Sequence, residues 1–333
     1  MEELKLSIII PFYNVEPYIA QCLDSVYNQD IPEKEYEVIC VNDASPDHSK
    51  EIVLEYQKKH SNLILVEHEV NKKLGAARNT GRKIARGKYI WNVDSDDMIA
   101  PNVLGVLLEQ CEKNDLDVLC FAYNEYLPDG RIVVVRGDAQ KSIGVTTGLN
   151  LIHQYGCSCL GEFCPVWRSL YRKAFLDDND IYSPEINMGE DVPYAFKSIF
   201  LAEKMELSSI EAYLYCVNEM SLTGAKTILS PNRLYEKCFE NSRLIMEMIR
   251  FIPSGDKEMQ TACKNVANYT FLMWKKAFCK MDGEEKNSFL SICRRGFRRD
   301  NIVIKKMASF KEYICYLTWL LLGRHFPEKK LLC

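Results

Sequence analysis

The sequence predicts an α/β protein with an open, mostly parallel β-sheet flanked by helices. Three observations lead to this prediction. Short unbroken apolar runs, rich in β-branched residues, are typical of strands that are buried on both faces. Segments with apolar residues at helical spacing separate these runs. Polar residues follow the apolar runs directly, as expected at the sheet edge where ligands of open α/β sheets bind.

The predicted elements alternate along roughly the first hundred residues. Strands are expected at 7–10, 36–41, 63–66 and 88–93. The helices between them are expected at 15–29, 49–59 and 75–85. Because this alternation places a helix in each connection between strands, it favours neighbouring strands that run in the same direction.

Polar residues at the ends of the predicted strands indicate a ligand-binding site. Asn14 follows the first strand, Asp43 the second, and Asp94, Asp96 and Asp97 the fourth. Carboxylates this close raise one another's pKa unless a cation neutralises them, and oxygen ligands suit Mg²⁺ or Mn²⁺. A solvated acidic turn is the alternative interpretation of the cluster alone. The convergence of three polar strand ends favours a ligand crevice.

The order and spacing of the motifs resemble those of the family 2 glycosyltransferases. The motifs are IIIPFYN at 8–14, VND at 41–43, AARNTG at 76–81 and VDSDD at 93–97. A further match, Gly189-Glu190-Asp191, extends the resemblance to about two thirds of the chain. The resemblance implies a GT-A fold, with a Rossmann-like sheet, and transfer of a sugar from a nucleotide donor with inversion at the anomeric carbon. The enzymes it resembles build bacterial capsule, lipopolysaccharide or exopolysaccharide repeat units.

The resemblance also implies roles for the strand-end carboxylates. Asp43 is expected to accept hydrogen bonds from the uracil edge, and Asp94 to face the ribose hydroxyls. Asp96 is expected to bind the Mn²⁺ or Mg²⁺ ion that bridges the diphosphate of a UDP-sugar. A guanine donor would fit a carboxylate at Asp43 as well. Asp97 is expected either to support these ligands or to cap a helix that starts near Pro101.

The matched motifs add further residues to the expected donor site. These residues are Pro11, Tyr13, Asn14, Arg78 and Ser95. Arg78 lies at the start of a Gly- and Ala-rich helix, where a cation is placed to face a diphosphate. The chain departs from the family at Ala44 and Lys73, where glycine is usual, and both departures leave the geometry of the donor loop open.

The expected general base is Asp191. In the family, the Asp of a Glu-Asp pair deprotonates the acceptor hydroxyl, and Glu190-Asp191 match that pair. The alternative is a helix cap, because Pro193 opens a helix directly after the pair. Trp167 matches a position where the family often has tryptophan near the acceptor. Stacking on a sugar ring and packing in the core both fit this residue.

Composition excludes some classes of protein. The 333 residues include 42 basic and 46 acidic side chains, and the net charge of −4 does not favour a nucleic-acid-binding protein. The 14 cysteines are scattered, so we expect reduced core thiols in a cytoplasmic protein. Cys157, Cys159 and Cys164 lack the paired spacing of a zinc site. The acidic start at Met1-Glu2-Glu3 carries no signal-peptide pattern.

The pattern divides the chain into a glycosyltransferase domain at 1–224 and a helical C-terminal region at 225–333. The domain is expected to have a nucleotide-sugar half at about 1–125 and an acceptor half at about 126–224. In the helical region, basic residues at 288–306 precede an apolar run at 313–322. This run is shorter than the ~20 residues of a spanning helix. It fits an interfacial helix on the inner membrane surface, or an ordinary helix packed on the core.

These expectations combine into one function. The chain is expected to be an inverting, metal-dependent glycosyltransferase that moves a sugar, from a UDP-sugar donor, to a hydroxyl of a glycan or lipid-linked acceptor. One alternative is a catalytically degenerate, membrane-peripheral partner of another transferase. A second alternative is a nucleotidyltransferase. Such enzymes usually have a Gly-rich phosphate loop after the first strand, where this chain has PFYN at 11–14.

Overall fold

The structure is a computed structural model that describes most of the N-terminal two thirds of the chain. The described residues are 4–135, 142–155, 165–186, 189–218, 230–235, 238–239, 241–247 and 281–307, with a few single residues between 255 and 267. Within these residues, strands join in one sheet that helices cover on both faces. The predicted α/β class is confirmed.

The strands and helices follow the predicted alternation with small shifts at their ends. The strands are β1 (Leu6–Phe12), β2 (Tyr36–Asn42), β3 (Leu63–Glu67), β4 (Tyr89–Asn92), β5 (Met98–Ile99), β6 (Val118–Tyr126), β7 (Ile132–Val134), β8 (Ile143–Thr146), β9 (Ser169–Arg172) and β10 (Met205–Cys216). The helices are α1 (Ile19–Tyr27), α2 (Ser49–Lys59), α3 (Leu74–Ile84), α4 (Leu104–Asn114), α5 (Gly148–Tyr155), α6 (Lys173–Asp178), α7 (Asp191–Leu201), α8 (Pro231–Tyr235), α9 (Asn241–Glu247) and α10 (Gly283–Met307).

The sheet is parallel in its first half and mixed in its second. The order is β3-β2-β1-β4-β9-β6-β10-β5, with β7 beside β6 and β8 beside β10. Strands β3, β2, β1 and β4 are mutually parallel. Strand β9 runs antiparallel to both of its neighbours, β4 and β6, and β10 is parallel to β6. The carboxyl ends of β1, β2, β4, β6 and β10 therefore lie along the same edge.

The continuous apolar runs arise because both faces of the sheet are buried. Successive side chains of a strand point to opposite faces. In β1, Ile9 belongs to the core on one face, and Ile8 and Ile10 belong to the core on the other. Helices α1 and α4 cover the second face, and α3 and α7 contribute to the first. No position of β1 faces solvent, so no polar alternation appears in its sequence.

Helix α3 lies close to the sheet because it carries small residues. A Cβ atom on Gly81 would lie 2.4 Å from Cγ2 of Ile9 in β1. Ile9 is fully buried, and its branched side chain has little freedom to move away. The glycine therefore sets the distance between α3 and β1, as the Gly- and Ala-rich motif predicted.

Other predictions concern the cysteines and the C-terminal region. Seven cysteines in the described part of the chain are free thiols, and six of them are buried, which agrees with reduced core cysteines. Cys157, Cys159 and Cys164 lie outside the described residues. The apolar run at 313–322 also lies outside them. Among the helices that are described, none has the length and apolar character to cross a bilayer. The division into domains stays a prediction.

Candidate active site

The candidate site lies at the carboxyl ends of the parallel strands, where the sequence places it. The polar residues after β4 meet Arg78 of α3 and the first turn of α7. Asp94 and Asp191, which lie 97 positions apart by their numbers, are thereby joined through one side chain. The sequence motifs thus converge on a single crevice.

Arg78 is the cation at the centre of this crevice. Its Nη2 donates to Asp94 Oδ1 at 2.9 Å, and its Nη1 donates to Glu190 Oε1 at 3.2 Å. The same Nη1 also donates to Asp191 Oδ1. The Arg78 side chain is only 2% exposed, whereas those of Asp94 and Asp191 are 24% and 26% exposed. The carboxylates are therefore reachable by a ligand, and the guanidinium beneath them is not.

The three carboxylates carry more negative charge than one guanidinium balances. Burial raises the pKa of Asp94 to about 6, and the charges of Asp191 and Asp96 act in the same direction. Burial, and next the charge of Asp191, raises the pKa of Glu190 to about 8. Arg78 opposes both shifts but does not cancel them. An added cation would be stabilised here, so the residues fit a divalent ion.

Asp96, the residue expected to hold such an ion, lies in the same loop as Asp94. It is half-buried, and its Oδ2 accepts a hydrogen bond from Asn218 Nδ2 at 3.1 Å. Among the described residues, no group of three or more His, Cys, Asp and Glu side chains forms a ready-made metal site. A Mg²⁺ or Mn²⁺ ion at Asp96 would accordingly need oxygen atoms from a bound diphosphate, as is usual for Mg²⁺.

Asp97 supports the loop that carries the other two carboxylates. It is buried, and it accepts hydrogen bonds from the Tyr213 hydroxyl at 2.9 Å and from the Cys216 backbone N–H at 2.7 Å. The same hydroxyl accepts a hydrogen bond from the Asp94 backbone N–H at 3.1 Å. The prediction that Asp97 caps a helix near Pro101 is wrong, because α4 begins at Leu104. Its other predicted role, support for the ligands, agrees with these contacts.

Asp43 is tied to the loop that leads into α3. It is buried, and its Oδ1 accepts from the backbone N–H of Lys72 at 2.7 Å. Its Oδ2 accepts from the backbone N–H of Lys73 at 2.8 Å. His68 Nδ1 lies 2.7 Å from Oδ1, and His68 Nε2 lies 2.9 Å from the hydroxyl of Thr80 in α3. The buried carboxylate therefore fixes the loop that leads into α3.

His68 was not among the residues that sequence reasoning selected. It comes directly after β3, whose last residue is Glu67. The rule that selected Asn14, Asp43 and Asp94, a polar residue beyond a strand end, also applies to His68. Applying that rule to every strand would have found it.

The loops after β1 and β2 hold each other. The Asn14 backbone N–H donates to Ser45 Oγ at 2.7 Å, and the Ser45 N–H donates to Asn42 Oδ1 at 2.8 Å. Asn14 has a φ of 56°, a left-handed conformation that asparagine tolerates better than most residues. Pro11 is buried within β1, and Tyr13 is 47% exposed beyond it. Because the ring of Tyr13 is exposed, a ligand can contact it.

The two departures from the family's glycines keep a glycine-like backbone. Ala44 has a φ of 57°, and Lys73 has a φ of 76° with a ψ of 165°. The second combination is essentially restricted to glycine and stores ~1–3 kcal/mol of strain in other residues. The hydrogen bond from the Lys73 N–H to Asp43 holds this conformation in place. Lys73 thus adopts a glycine-like backbone conformation that Asp43 holds in place.

Helix α3 also anchors the segment that leads to Asp191. Asn79 Nδ2 donates to the Ser183 carbonyl at 2.8 Å, and the Ser183 N–H donates to Asn79 Oδ1 at 2.9 Å. Arg82 donates to the Ile181 carbonyl and to Asp177 Oδ1, the latter at 2.6 Å. These contacts fix the chain a few residues before the start of α7.

Asp191 is the first residue of α7, and Glu190 precedes it as the N-cap. Within the described residues, the N-cap side chain makes no capping hydrogen bond. The Asp191 side chain instead contacts Arg78, and its Oδ2 lies 3.5 Å from the Val166 backbone N–H. The interpretation of Asp191 as a helix cap is therefore wrong. Its position leaves it available for chemistry in the crevice.

The comparison with known proteins decides the family. The sequence model described as glycosyl transferase family 2 matches residues 7–181, which is more than half of the chain. The chain belongs to this family. The match covers the motifs after β1, β2 and β4 and the anchoring motif in α3. It ends just before the segment that carries Asp191.

Two curated relatives and one solved structure place the chain within the family. It is 34% identical over 220 residues to the uncharacterized glycosyltransferase EpsJ of Bacillus subtilis, covering 66% of this chain and 62% of EpsJ. It is 30% identical over 295 residues to the poly(ribitol-phosphate) beta-glucosyltransferase of Bacillus spizizenii, covering 86% of this chain and 43% of that protein. The chain therefore spans less than two thirds of the length of either relative.

The solved structure is that of Staphylococcus aureus TarS residues 1–349 in complex with UDP. It superimposes with a TM-score of 0.70 at 25% identity, covering 98% of this chain and 89% of that chain. This similarity confirms the predicted GT-A fold.

The contacts of Trp167 distinguish its two predicted roles, stacking on a sugar ring and packing in the core. Its side chain is buried and stacks on Tyr213 with ring centroids 4.3 Å apart. It also stacks on Tyr215 at 5.9 Å, and the indole N–H of Trp91 donates to its carbonyl at 2.7 Å. Packing in the core is the role that these contacts support. The aromatic stack lies directly beneath Asp94 and Asp97, because Tyr213 contacts both.

The strain at Lys73 leads to a first prediction. Replacing Lys73 with glycine should stabilise the protein by about 1 kcal/mol, because it removes strain of ~1–3 kcal/mol and adds ~0.5–1 kcal/mol of backbone entropy to unfolding. The matched control is Lys72→Gly, whose backbone has no positive φ and which should destabilise the protein slightly. Urea denaturation measures both changes. Equal destabilisation by the two variants would show that Lys73 is not strained.

The raised pKa of Glu190 leads to a second prediction. The folded protein keeps a proton on this side chain at pH values where the unfolded chain has lost it. Its contribution to stability is therefore largest near pH 5 and is lost as the pH rises to about 8. Glu190→Gln should flatten the fall in melting temperature over this range. Glu185→Gln, at an exposed position of the same segment, is the control and should leave the wild-type slope. A wild-type slope in Glu190→Gln would contradict the assignment.

Proposed function

We propose that the protein is an inverting glycosyltransferase that moves a sugar from a UDP-sugar to a hydroxyl of a glycan or lipid-linked acceptor. The observation that carries this proposal is the position of two carboxylates across one crevice. Asp94 lies beyond the end of β4, Asp191 opens α7, and Arg78 links them. We assign Asp94 to the side that binds the donor and Asp191 to the side where an acceptor enters.

The donor side is proposed to bind uridine diphosphate. Asp43 would accept from the uracil edge, and Asp94 from the ribose hydroxyls. Tyr13, Asn14 and Ser95, together with Pro11, would line the same side. The proposal is supported by the similarity to TarS, which was solved with UDP and with UDP-GlcNAc. Asp43 Oδ1 is contacted by the Lys72 N–H and by His68 Nδ1, whereas Oδ2 accepts from the Lys73 N–H alone and has a lone pair for a further donor.

Asp191 is proposed to be the general base. It takes the proton of the acceptor hydroxyl while the hydroxyl oxygen forms a bond to the anomeric carbon. The bond from that carbon to the diphosphate oxygen breaks, and its electron pair leaves with UDP. Attack on the face opposite to the leaving group inverts the anomeric centre. A divalent ion held by Asp96 would neutralise the charge that develops on the leaving diphosphate.

The acceptor is proposed to be a hydroxyl-bearing polymer or lipid-linked glycan of the cell surface. One relative is named for its action on poly(ribitol-phosphate), which is a polymer of that kind. The reaction would take place in the cytoplasm, at the inner surface of the membrane. Helix α10 supports this location, since the segment from Ser291 to Met307 holds six Lys and Arg residues against one Asp.

Calorimetry with UDP and with GDP tests the donor class. Each nucleotide is titrated into the protein with Mn²⁺ and, separately, with EDTA. We expect UDP to bind with Mn²⁺ and to bind at least tenfold more weakly with EDTA, because the ion neutralises the diphosphate beside the carboxylates. Tighter binding of GDP would assign a guanine donor. Binding of neither nucleotide would contradict the proposed function.

Two substitutions separate the proposed roles of the carboxylates. Asp191→Asn should lower turnover of the UDP-sugar by about 10²–10⁴-fold and leave UDP affinity nearly unchanged, because an amide cannot take the proton. Asp96→Ala should instead weaken UDP binding in the presence of Mn²⁺ and leave it unchanged in EDTA. Steady-state kinetics and calorimetry measure these effects. Near wild-type turnover in Asp191→Asn would refute the base assignment.

A further inference from the structure

Arg78 joins the donor side of the crevice to the base side. We infer that Arg78 is a positioning residue for Asp191, rather than a ligand of the donor diphosphate. Its guanidinium fixes the position of the base carboxylate relative to Asp94. This inference rests on the proposed function, because it assigns Arg78 a role in the same reaction.

The first argument is the geometry of the guanidinium. One outer nitrogen atom donates to Asp94 at 2.9 Å, and the other donates to Asp191 and, at 3.2 Å, to Glu190. The guanidinium is planar, and its N–H groups point in fixed directions. Because both outer nitrogen atoms are used, the relative position of Asp94 and Asp191 is set by covalent geometry and not by two independent loops.

The second argument is that the guanidinium is turned away from any ligand. A guanidinium that binds phosphate bidentately presents an edge with two N–H groups to it. In Arg78, both outer nitrogen atoms face protein carboxylates, and the side chain is only 2% exposed. Its remaining Nε–H is buried and has no partner within the described part of the chain. The group is therefore oriented toward the base and the donor carboxylate.

The third argument is that both ends of the link are anchored. Arg78 belongs to α3, which packs on β1 and β2. The segment before Asp191 is held to the same helix by the two hydrogen bonds between Asn79 and Ser183. Arg82 adds a contact to the Ile181 carbonyl. A base on an unanchored loop would not stay within reach of an acceptor hydroxyl. These hydrogen bonds keep the segment before Asp191 in one position relative to α3.

The fourth argument concerns the charges. Asp94, Glu190 and Asp191 lie around one point, and like charges at this distance repel each other. Arg78 is the cation that all three contact. Without it, the carboxylates would separate, and Asp191 would move from its place relative to the donor.

The test compares two arginines that each pair with a carboxylate inside the fold. Arg78→Lys keeps the charge but cannot contact Asp94 and Asp191 together. Arg172→Lys is the matched control, since Arg172 pairs with the buried Asp117 and lies beside Tyr89, at the end of β4 opposite to the candidate site. The readouts are melting temperature, UDP affinity by calorimetry with Mn²⁺, and hydrolysis of UDP-N-acetylglucosamine and UDP-glucose, in which water takes the place of the acceptor.

We expect Arg78→Lys to lower kcat by about 10²-fold, because misplacing a reacting group by about 1 Å has an effect of this size. UDP affinity should stay within about threefold of wild type, because the donor does not touch the guanidinium. Arg172→Lys should keep wild-type kcat, although it also weakens an ion pair with a buried carboxylate. Arg78→Gln provides the same comparison if Arg78→Lys does not fold.

A double variant tests whether Arg78 acts through Asp191. In the Asp191→Asn background, Arg78→Lys should lower the residual turnover no further, because the group it positions is already inactive. An additional 10-fold or greater loss would overturn the inference. A fall in UDP affinity that parallels the fall in kcat would also overturn it, as would an equal loss of kcat in Arg172→Lys.

Hydrolysis of the UDP-sugars by the wild-type protein distinguishes a failure of this inference from a failure of the proposed function. A wild-type protein that hydrolyses neither UDP-sugar contradicts the proposed function, and the inference fails with it. A wild-type protein that turns over donor at a rate unchanged by Arg78→Lys contradicts the inference alone.

Discussion

The contact between one buried guanidinium and three carboxylates determines the shape of the candidate site. Arg78 draws together Asp94 from the end of β4 and the Glu190-Asp191 pair at the start of α7. The charges are not balanced, since one positive charge contacts three acidic groups. Burial, and next the charges of neighbouring carboxylates, raise the pKa values of Asp94 and Glu190. A ligand that brings a divalent cation would relieve the shortage of positive charge.

Helix α3 is the element through which this contact reaches the rest of the fold. Its sheet-facing side is small enough to approach β1 closely, as Gly81 shows at Ile9. Its N-terminal loop is fixed by Asp43, and its outer side is fixed to the segment before α7 through Asn79. A single short motif therefore connects the loop held by Asp43, the sheet and the segment before Asp191. This explains why so many residues of AARNTG are polar or small although the helix is largely buried.

The sequence predicted what depends on local pattern. Strands β1 to β4 and helices α1 to α3 were found because burial on both faces and helical spacing leave a periodic signal. The pairing of Arg78 with Asp191 left no such signal, because the two residues lie 113 positions apart and meet only in the folded chain. The core position of Trp167 was equally hidden, since an aromatic residue near a site fits both of its roles. The antiparallel direction of β9 could not be predicted from its four residues.

Strand β9 has a consequence for how such proteins diversify. It arrives late in the chain, yet it lies between β4 and β6 and pairs with both. The chain segment between β6 and β9 adds two short strands, β7 beside β6 and β8 beside β10, before the chain returns to the sheet between β4 and β6. The pairing of β1, β2, β3 and β4 with one another does not involve that segment. A change in its length would therefore leave the parallel half of the sheet, with Asp43 and Asp94 at its carboxyl edge, in its present register.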